Sequence, residues 1–400
     1  MNIQTLNFEL QSMNSKIIPY GRQTITEADI EAVVSVLRSD FLTQGPSIPL
    51  FEEQFAAYVG SQYAVAVSNG TAALHLCALA LGVNENSRVI TTPLTFAASA
   101  NCIRYCGGKV FFADIDPETF LLDINKVRTL LEKHPRGYFA GIIPVDFAGN
   151  AIDLEAFRKL ADEFGCWLIE DACHAPGGYF TDSKNKEQRC GNGVFADLAI
   201  FSFHPVKHIA TGEGGMITTN NKELYEKLLL LRTHGIVKDP SKYKNSRDDI
   251  AQGGWYYEMQ ELGYNYRLTD FQAALGISQL TRANENLERR KTLAKRYDDA
   301  FTNSNIIKPI SLEGNAYHLY VIQVANRSGL YDHLRANNIF PQVHYVPVHL
   351  MPYYKQFGHK KGDYPFTEAY YEKCLSIPMY HALSDEDQDL VIKTILNFQK

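Results

Sequence analysis

Short apolar runs alternate with helical segments between residues 63 and 169, and this alternation constrains the fold more than any other feature of the chain. Each run has the length and composition of a buried strand, and the segments between the runs carry apolar residues at helical spacing. Strands that alternate with helices favour a mainly parallel sheet covered by helices on both faces. We therefore predict an α/β fold with strands at residues 63–67, 88–91, 110–113, 140–145 and 166–169.

Side chains suited to chemistry stand at or just after the ends of the predicted strands. In a parallel sheet, ligands bind beyond the carboxyl ends of the strands. This shared placement predicts one site at that edge of the sheet, built from Thr71, Phe96, Asp171, Ser202 and Lys207.

Lys207 follows a strand predicted at residues 198–203 and precedes a glycine-rich turn at residues 212–215. A second apolar run at residues 216–219 comes after the turn, so the lysine lies on the connection between two buried strands. Removal from water lowers the pKa of a lysine and makes its amine nucleophilic. From this stretch alone, an exposed loop lysine without chemistry is an equal alternative.

The turn at residues 68–71 lies between a predicted strand and a helix predicted at residues 72–81. The free N–H groups and the dipole at the start of a helix favour a phosphate group. The alternative is that Thr71 only caps the helix, because capping and phosphate binding use the same geometry.

The length of 400 residues exceeds what one small core organises, so two domains are expected. Thr269 and Gln272 form a capping-box pattern before a helix predicted to run from residue 270 to residue 301. A polar stretch at residues 237–253 is predicted to be a long loop. The predicted division is an N-terminal segment with a large domain (1–268), a bridging helix (269–301) and a small C-terminal α/β domain (302–400).

The charged residues are mixed in sign, with a net charge of −6 and no basic stripe, which argues against nucleic acid as a partner. Residues 1–20 lack the pattern of a signal peptide, and no apolar run in the sequence has membrane-spanning length, so no membrane association is expected. The seven cysteines are scattered, which favours reduced thiols in the cytoplasm over disulfides and predicts no metal site.

Together, these residue types match the needs of pyridoxal phosphate. A lysine can form an imine with the aldehyde of this cofactor, an aspartate can hold its ring nitrogen protonated, and a helix start can bind its phosphate. Lys207 and Asp171 supply the first two groups, Thr71 with Ser202 the third, and Phe96 a flat side chain for the ring. Once released from the imine, the lysine would move a proton as acid and base.

Five motifs, in order along the chain, resemble those of the DegT/DnrJ/StrS sugar aminotransferases. They are SNGTAALHL (68–76), TPLTFAASAN (92–101), IEDACHAPG (169–177), FSFHPVKHIATGEGGM (201–216) and GYNYRLTDFQAALG (263–276). The resemblance covers residues 17–395. It implies a fold-type I pyridoxal phosphate enzyme, with a large, mainly parallel sheet domain covered by helices and a smaller C-terminal α/β domain. It also implies amination of keto groups on nucleotide-linked sugars.

The resemblance further implies roles for single residues. Lys207 matches the lysine that forms the imine, Asp171 the residue on the ring nitrogen, and Phe96 and His174 the side chains on the two ring faces. Asn265 matches a phosphate contact given by the neighbouring subunit of a homodimer with shared active sites. The expected cofactor contacts are Gly70, Thr71, Ala72, Phe96, Asp171, His174, Ser202, Lys207 and Asn265.

The start of the chain (IPYGRQ at 18–23 and LTQGP at 42–46) and QVHYVPVH at 342–349 are most similar to one branch of the family. That branch aminates UDP-linked 4-keto sugars and includes the pathway to pseudaminic acid. It implies L-glutamate as the amino donor and a UDP-linked 4-keto-6-deoxy-N-acetyl sugar as the acceptor. The expected sugar-nucleotide contacts are Tyr20, Asp40, Phe41, Leu42, Thr43, Gln342, Val343, His344 and Tyr345.

Several alternatives stay open at this point. The chain could aminate C3, dehydrate its substrate, or be a non-catalytic relative; some dehydrating relatives carry histidine in place of the lysine, and Lys207 counts against that chemistry. Arg267 could bind the donor's carboxylate through a bidentate pair or form a structural ion pair. His174 could be a hydrogen-bonded core histidine, and Phe96 could be core.

Overall fold

The computed structural model describes residues 16–245 and 253–398. Its strands are β1 (Ile18–Pro19), β2 (Tyr63–Val67), β3 (Arg88–Thr91), β4 (Lys109–Phe112), β5 (Gly141–Ile143), β6 (Trp167–Asp171), β7 (Tyr179–Thr181), β8 (Glu187–Arg189), β9 (Leu198–Ser202), β10 (Gly215–Thr219), β11 (Ile236–Val237), β12 (Glu258–Met259), β13 (Tyr320–Gln323), β14 (Ile339–Phe340) and β15 (Cys374–Ile377). Its α-helices are α1 (Glu27–Leu37), α2 (Ser47–Val59), α3 (Gly70–Ala80), α4 (Ala98–Tyr105), α5 (Ile124–Leu131), α6 (Leu154–Phe164), α7 (Lys222–Arg232), α8 (Asp270–Leu280), α9 (Ala283–Ala300), α10 (Arg327–Ala336), α11 (Pro352–Lys355), α12 (Pro365–Lys373) and α13 (Asp385–Phe398). Within these described ranges, no helix combines the length and the hydropathy needed to cross a bilayer.

The central sheet has seven strands in the order β2-β10-β9-β6-β5-β3-β4. Neighbouring strands run parallel except at β10, which is antiparallel to both β2 and β9. The predicted α/β fold with a mainly parallel sheet is therefore confirmed. No helix separates β9 from β10, as antiparallel neighbours permit, and their connection carries Lys207.

The sheet has an apolar core on each face, which explains its continuous apolar strands. In β2, Ala64 and Ala66 pack into one core, which includes Phe51 and Phe55 of α2. The alternate residues, Val65 and Val67, pack into the other core, beside α3 and α7. Successive side chains of a strand point to opposite faces, so one short run serves both layers.

A third apolar core lies in the C-terminal region, where β13 and β15 pair antiparallel beside α10 and α13. Ile18 of β1 is buried in this core, because β1 pairs with β14 in parallel. The N-terminal segment thus packs with the C-terminal region, although the predicted division groups it with residues 1–268. The domain boundaries themselves stay a prediction.

The single helix predicted from residue 270 to residue 301 is wrong, because α8 and α9 are separate helices with a break at Thr281 and Arg282. In the break, the Arg282 guanidinium donates to the buried Asp29 carboxylate of α1 at 2.8 Å. Gln279 donates to the same carboxylate at 3.0 Å. Because both side chains donate to this buried carboxylate, the break between α8 and α9 is anchored to α1.

The two helices share the bridging role predicted for one. Ala273 of α8 packs into the first core, and Tyr297 of α9 packs into the C-terminal core. The capping box of Thr269 and Gln272 at the start of α8 is confirmed. Of the loop predicted at residues 237–253, residues 246–252 lie outside the described residues, and the preceding part forms a 3₁₀ turn at Pro240–Lys242.

Candidate active site

One cavity of about 1040 Å³ opens at the carboxyl ends of β6 and β9. Its wall brings together side chains that lie far apart in the sequence, as strand order in a parallel sheet allows. The predicted site residues on this wall are Tyr20, Gly70, Thr71, Ala72, Phe96, Asp171, His174, Ser202, Lys207, Gln342, Val343, His344 and Tyr345.

Lys207 lies on the cavity wall, in a turn whose backbone closes with a hydrogen bond from its N–H to the His204 carbonyl at 2.8 Å. Its amine lies 3.4 Å from Nε2 of His318. Burial lowers the pKa of Lys207, and the neighbouring Cys173 and Asp171 oppose this shift. A lysine with a lowered pKa has a larger neutral fraction near pH 7, and the neutral amine is the nucleophile.

Asp171 is the last residue of β6, and two donors fix its carboxylate. Ser99 donates its hydroxyl to Oδ2 at 2.7 Å, and the Cys173 N–H donates to Oδ1 at 3.2 Å. The Ser99 hydroxyl is itself 2.8 Å from the hydroxyl of Thr95, which can donate to it. The carboxylate is thus held in one orientation on the cavity wall.

Glu170, next to Asp171 in β6, points to the opposite face of the sheet, where it meets Asp146. Burial raises the pKa of Asp146 to about 7, and burial with the Asp146 charge raises the pKa of Glu170 well above its usual range. Two carboxyl groups this close share a proton. The Asp171 carboxylate therefore lies on the cavity side of the sheet, where Glu213 also lines the wall, and the Asp146 and Glu170 pair lies behind the sheet.

His174 bonds through both of its ring nitrogens. Nδ1 accepts from the Ala148 N–H at 3.2 Å, so the proton of the neutral ring lies on Nε2, 3.0 Å from the Tyr345 hydroxyl oxygen. Burial and the charge of Lys207 hold the pKa of His174 well below its usual range. His174 is thus a neutral donor to Tyr345, held in place on the wall.

The N-terminus of α3 forms one end of the cavity. Asn69 is its N-cap and accepts from the Ala72 N–H at 2.8 Å, so the capping role left open for Thr71 belongs to Asn69. The first N–H groups of a helix have no acceptor within it, which leaves those of Gly70 and Thr71 for an anion.

Two glycines allow the turn before α3 to pack closely on β9 and β10. A Cβ on Gly70 would lie 3.1 Å from Cβ of Ser202, and a Cβ on Gly215 would lie 2.6 Å from the carbonyl carbon of Asn69. The turn therefore packs directly on β9 and β10 and leaves a shallow cradle beside the Ser202 hydroxyl. A side chain on either glycine would push the turn out of this position.

The donor set fits pyridoxal phosphate. The cradle and the free N–H groups of α3 suit its phosphate, and the Asp171 carboxylate suits its ring nitrogen. The Lys207 amine, on the same wall, suits its aldehyde.

The C-terminal region closes the other side of the cavity with Gln342, Val343, His344 and Tyr345. Nδ1 of His344 lies 2.8 Å from the Ser376 hydroxyl, and burial lowers the pKa of His344 to about 3. The ring of Tyr20 lies 5.1 Å from that of His344, between centroids. The neutral rings and amide of this wall suit a polar, uncharged ligand such as a sugar.

Asp40, Phe41, Leu42, Thr43 and Asn265 are the predicted contacts that do not line the cavity. All of them are exposed. Thr43 forms an isolated bridge with Thr269, so the 40–43 segment meets the chain just after Asn265 and Tyr266. Tyr266 lines the cavity, whereas the adjacent Asn265 does not.

Arg267 is not on the cavity wall, and within residues 16–245 and 253–398 no carboxylate lies within ion-pair distance of it. The structural ion pair considered from the sequence is therefore not observed in the described part of the chain.

A profile of the DegT/DnrJ/EryC1/StrS aminotransferase family matches residues 23–396. The chain belongs to this family. The UDP-4-amino-4,6-dideoxy-N-acetyl-beta-L-altrosamine transaminase of Campylobacter jejuni is 37% identical over 391 residues, which cover 95% of this chain and 97% of the relative.

Two solved structures of the family have the same fold. Spr1654 of Streptococcus pneumoniae, described as a candidate sugar aminotransferase and solved in its PMP form, has a TM-score of 0.86 at 30% identity, covering 96% of this chain and 99% of that one. PseC of Helicobacter pylori, an aminotransferase involved in the biosynthesis of pseudaminic acid, has a TM-score of 0.84 at 29% identity, with the same coverage. This member of the DegT/DnrJ/EryC1/StrS family is a sugar aminotransferase that depends on pyridoxal phosphate.

Three residues that build this site were not predicted from the sequence: Asn69, Ser99 and His318. Asn69 lies inside a quoted motif, and its place two residues before Thr71 after a strand is a capping signal that could have found it. Ser99 also lies in a motif, but its contact with Asp171 spans 72 positions of sequence and carries no local signal. His318 lies outside every quoted motif, and only the fold brings it to Lys207.

Proposed function

We propose that the chain transfers an amino group from L-glutamate to the C4 keto group of a UDP-linked 4-keto-6-deoxy-N-acetyl sugar, in the biosynthesis of an amino sugar, namely pseudaminic acid. The names of the Campylobacter and Helicobacter relatives support the substrate and the pathway. The observation that carries the proposal is the enclosure of the Lys207 amine and the Asp171 carboxylate in one cavity with the free helix start of α3.

In this proposal, residues at the edge of the central sheet and at the start of α3 bind the cofactor. The N–H groups of Gly70 and Thr71 and the Ser202 hydroxyl bind its phosphate, and Asp171, oriented by Ser99, holds its ring nitrogen protonated. Bound there, pyridoxal phosphate accepts the electrons left when a proton is removed from the carbon that bears the amino group. The Ala72 N–H already donates to Asn69, so Ala72 contributes to the phosphate site mainly through its place in the helix start.

Lys207 is the proposed catalytic residue, which takes the proton from one carbon and returns it to another. Burial lowers the pKa of its amine, which enlarges the neutral fraction that can accept the proton. Phe96 and His174 are proposed to lie on the two faces of the ring. His174 keeps its orientation there through the Ala148 N–H and the Tyr345 hydroxyl.

The C-terminal wall is proposed to bind the sugar nucleotide, through Tyr20 and residues 342–345. The cavity of about 1040 Å³ is large enough for a cofactor and a sugar together, since sites for single drug-sized ligands occupy about 300–1,000 Å³. Lys207 argues against a dehydratase, because some dehydrating relatives carry histidine at this position. Amination at C3 stays the alternative for the position of attack.

We further propose a two-fold homodimer in which each chain completes the other's site. Asn265 and residues 40–43 are exposed and do not line their own cavity, and Thr43 pairs with Thr269, four residues after Asn265. An amide at Asn265 can donate to a phosphate, and the 40–43 segment can contact the nucleotide across a two-fold axis. The proposed compartment is the cytoplasm, where the seven free cysteines stay reduced.

The test is a panel of acceptors, each incubated with the enzyme, pyridoxal phosphate and L-glutamate, with the products identified by mass spectrometry and NMR. The panel holds UDP- and dTDP-linked 4-keto and 3-keto sugars, and the free 4-keto sugar without its nucleotide. We expect the UDP-linked 4-keto sugar to give the highest kcat/KM, because binding energy from the diphosphate and the base positions the distant carbonyl. Equal kcat/KM with the free sugar would overturn the nucleotide proposal, and a 3-amino product would overturn the C4 assignment.

A further inference from the structure

His318 lies against the amine of Lys207 and has no part in the chemistry described so far. Its Nε2 is 3.4 Å from Nζ of Lys207, and the side chain is buried on the cavity wall. It belongs to the C-terminal region, just before β13, whereas Lys207 belongs to the central sheet. The contact therefore joins the two parts of the chain at the reactive amine.

The backbone at His318 is held on two sides. The buried Arg290 guanidinium donates to the carbonyl oxygens of Tyr317 at 3.1 Å and His318 at 3.3 Å. On the other side, Gly149 has φ of +107°, and a Cβ there would lie 2.9 Å from the His318 nitrogen. The Leu319 N–H donates to the Ala148 carbonyl at 3.1 Å. A backbone fixed in this way gives the imidazole little freedom to leave Lys207.

The surroundings of His318 keep its ring neutral. The charged and titratable groups that face it are Lys207, His174, His208 and Arg290, and their charges and its burial hold the pKa of His318 well below its usual range. The His174 ring lies 4.3 Å away and the His208 ring 5.8 Å away, between centroids. A neutral imidazole has one donor nitrogen and one acceptor nitrogen.

Nδ1 of His318 is buried and has no hydrogen-bond partner among the described residues. Nε2, beside Lys207, is therefore the nitrogen through which the ring acts. An ammonium group can only donate, and a neutral amine can still donate through one of its N–H groups, so Nε2 can accept from Lys207 in both states. With one N–H fixed in this way, the remaining positions on Nζ, which carry the lone pair or the proton to be transferred, point elsewhere.

We propose that His318 is a positioning residue, which accepts a hydrogen bond from the free amine of Lys207 and directs the lone pair, or the transferable proton, into the cavity. The inference rests on the proposed role of Lys207 as the lysine that binds the cofactor. A residue of the C-terminal region would then assist the reaction of the Lys207 amine, for which the other proposed residues belong to the central-sheet region.

The test measures how fast the full-length protein, stripped of cofactor, attaches added pyridoxal phosphate to lysine, as a function of pH. The attachment joins the amine nitrogen to the aldehyde carbon and releases water, and the absorbance of the bound cofactor follows it. His318→Phe keeps a ring but loses the acceptor. We expect the rate of this attachment, the capture of the cofactor by lysine, to fall about tenfold at pH 7, which is the rate equivalent of one lost hydrogen bond. His318→Gln places an amide oxygen near the position of Nε2, and we expect it to restore most of the rate.

His381→Phe is the matched control, because His381 lies near Arg290 without a contact to Lys207, and we expect the parent rate from it. Circular dichroism and the Tm identify any variant that has lost its fold. Capture by His318→Phe at the parent rate with an unchanged pH profile would overturn the inference, and so would equally slow capture by a folded His318→Gln. Reduction with borohydride and peptide mapping separates the two proposals: a label on a lysine other than Lys207 would contradict the proposed role of Lys207 itself.

Discussion

The wall of the cavity is built within one chain, whereas the exposed residues predicted to bind the same ligands lie outside the cavity of their own chain. We call the first the inner wall, with Asp171, Ser202 and Lys207 at its centre, and the second the outer strip, formed by residues 40–43 and Asn265. On the inner wall, hydrogen bonds fix the orientation of the functional groups, as Ser99 does for Asp171. The outer strip carries exposed apolar side chains, with Phe41 at 53% and Leu42 at 49% exposure.

This difference separates two kinds of site residue that the family motifs do not separate. Inner-wall residues converge because the ends of parallel strands meet at one edge of the sheet. Outer-strip residues do not line the cavity of their own chain, and Thr43 pairs with Thr269, four residues after Asn265. Phe96 lies on the cavity wall and is 62% exposed, so apolar surface continues from the cavity to the outside. A second copy of the chain is the proposed cover for this surface.

The largest expected effect tests the centre of the inner wall. Lys207→Ala removes the amine that attaches the cofactor and moves the proton, so we expect turnover to be abolished while the phosphate and ring contacts still bind pyridoxal phosphate. Turnover and cofactor absorbance after gel filtration measure the two properties. Lys222→Ala, which removes an exposed lysine from the start of α7, is the control and should keep the parent turnover. Near-parent turnover in Lys207→Ala would contradict the proposed catalytic role of Lys207.

The next effect concerns the carboxylate of Asp171. Asp171→Asn keeps the shape but removes the charge that holds the ring nitrogen protonated, and we expect kcat to fall by about two to three orders of magnitude, as for other lost electrostatic partners. Binding of the sugar nucleotide, measured by calorimetry, should change little, because Asp171 lies at the cofactor end of the cavity. A parent-like kcat would show that Asp171 is structural.

A smaller effect is expected from Ser99, which orients Asp171 and does not touch the cofactor in our account. Ser99→Ala removes the 2.7 Å hydrogen bond to Oδ2, and we expect kcat to fall about tenfold, the value of one hydrogen bond to a charged group. In the double variant with Asp171→Asn, the loss from Ser99→Ala should nearly vanish, because the two residues act on one function. Additive losses in this cycle would show that Ser99 acts independently of Asp171.

The sequence supports prediction where the signal is local. The strand–helix alternation predicts the parallel sheet because buried strands and amphipathic helices have distinct periods. The break between α8 and α9 was missed because it depends on Arg282 and Gln279 reaching Asp29, about 250 positions earlier in the chain. A capped helix start looks the same in sequence whether the helix continues through such a contact or stops at it.

The same distinction holds within the site. Lys207 and Asp171 stand at strand ends in recognisable motifs, so their meeting in one cavity follows from the predicted fold. His318 reaches Lys207 only because the C-terminal region docks on residues 147–149, and no periodicity encodes docking between two regions. Family motifs pointed to Asn265 and residues 40–43, but motifs do not say which copy of the chain a residue serves.

The central claim is that the inner wall and the outer strip serve different active sites of one dimer, and a mixing experiment tests it directly. Lys207→Ala and Asn265→Asp should each be nearly inactive as homodimers, the second because a carboxylate repels the cofactor phosphate. In a mixed dimer, one site loses both residues and the other keeps Lys207 from one chain and Asn265 from its partner. We predict that activity returns on mixing, approaching half that of the parent dimer per mixed dimer. If mass spectrometry verifies subunit exchange, both variants are folded and no activity returns, Asn265 serves its own chain and the account is contradicted.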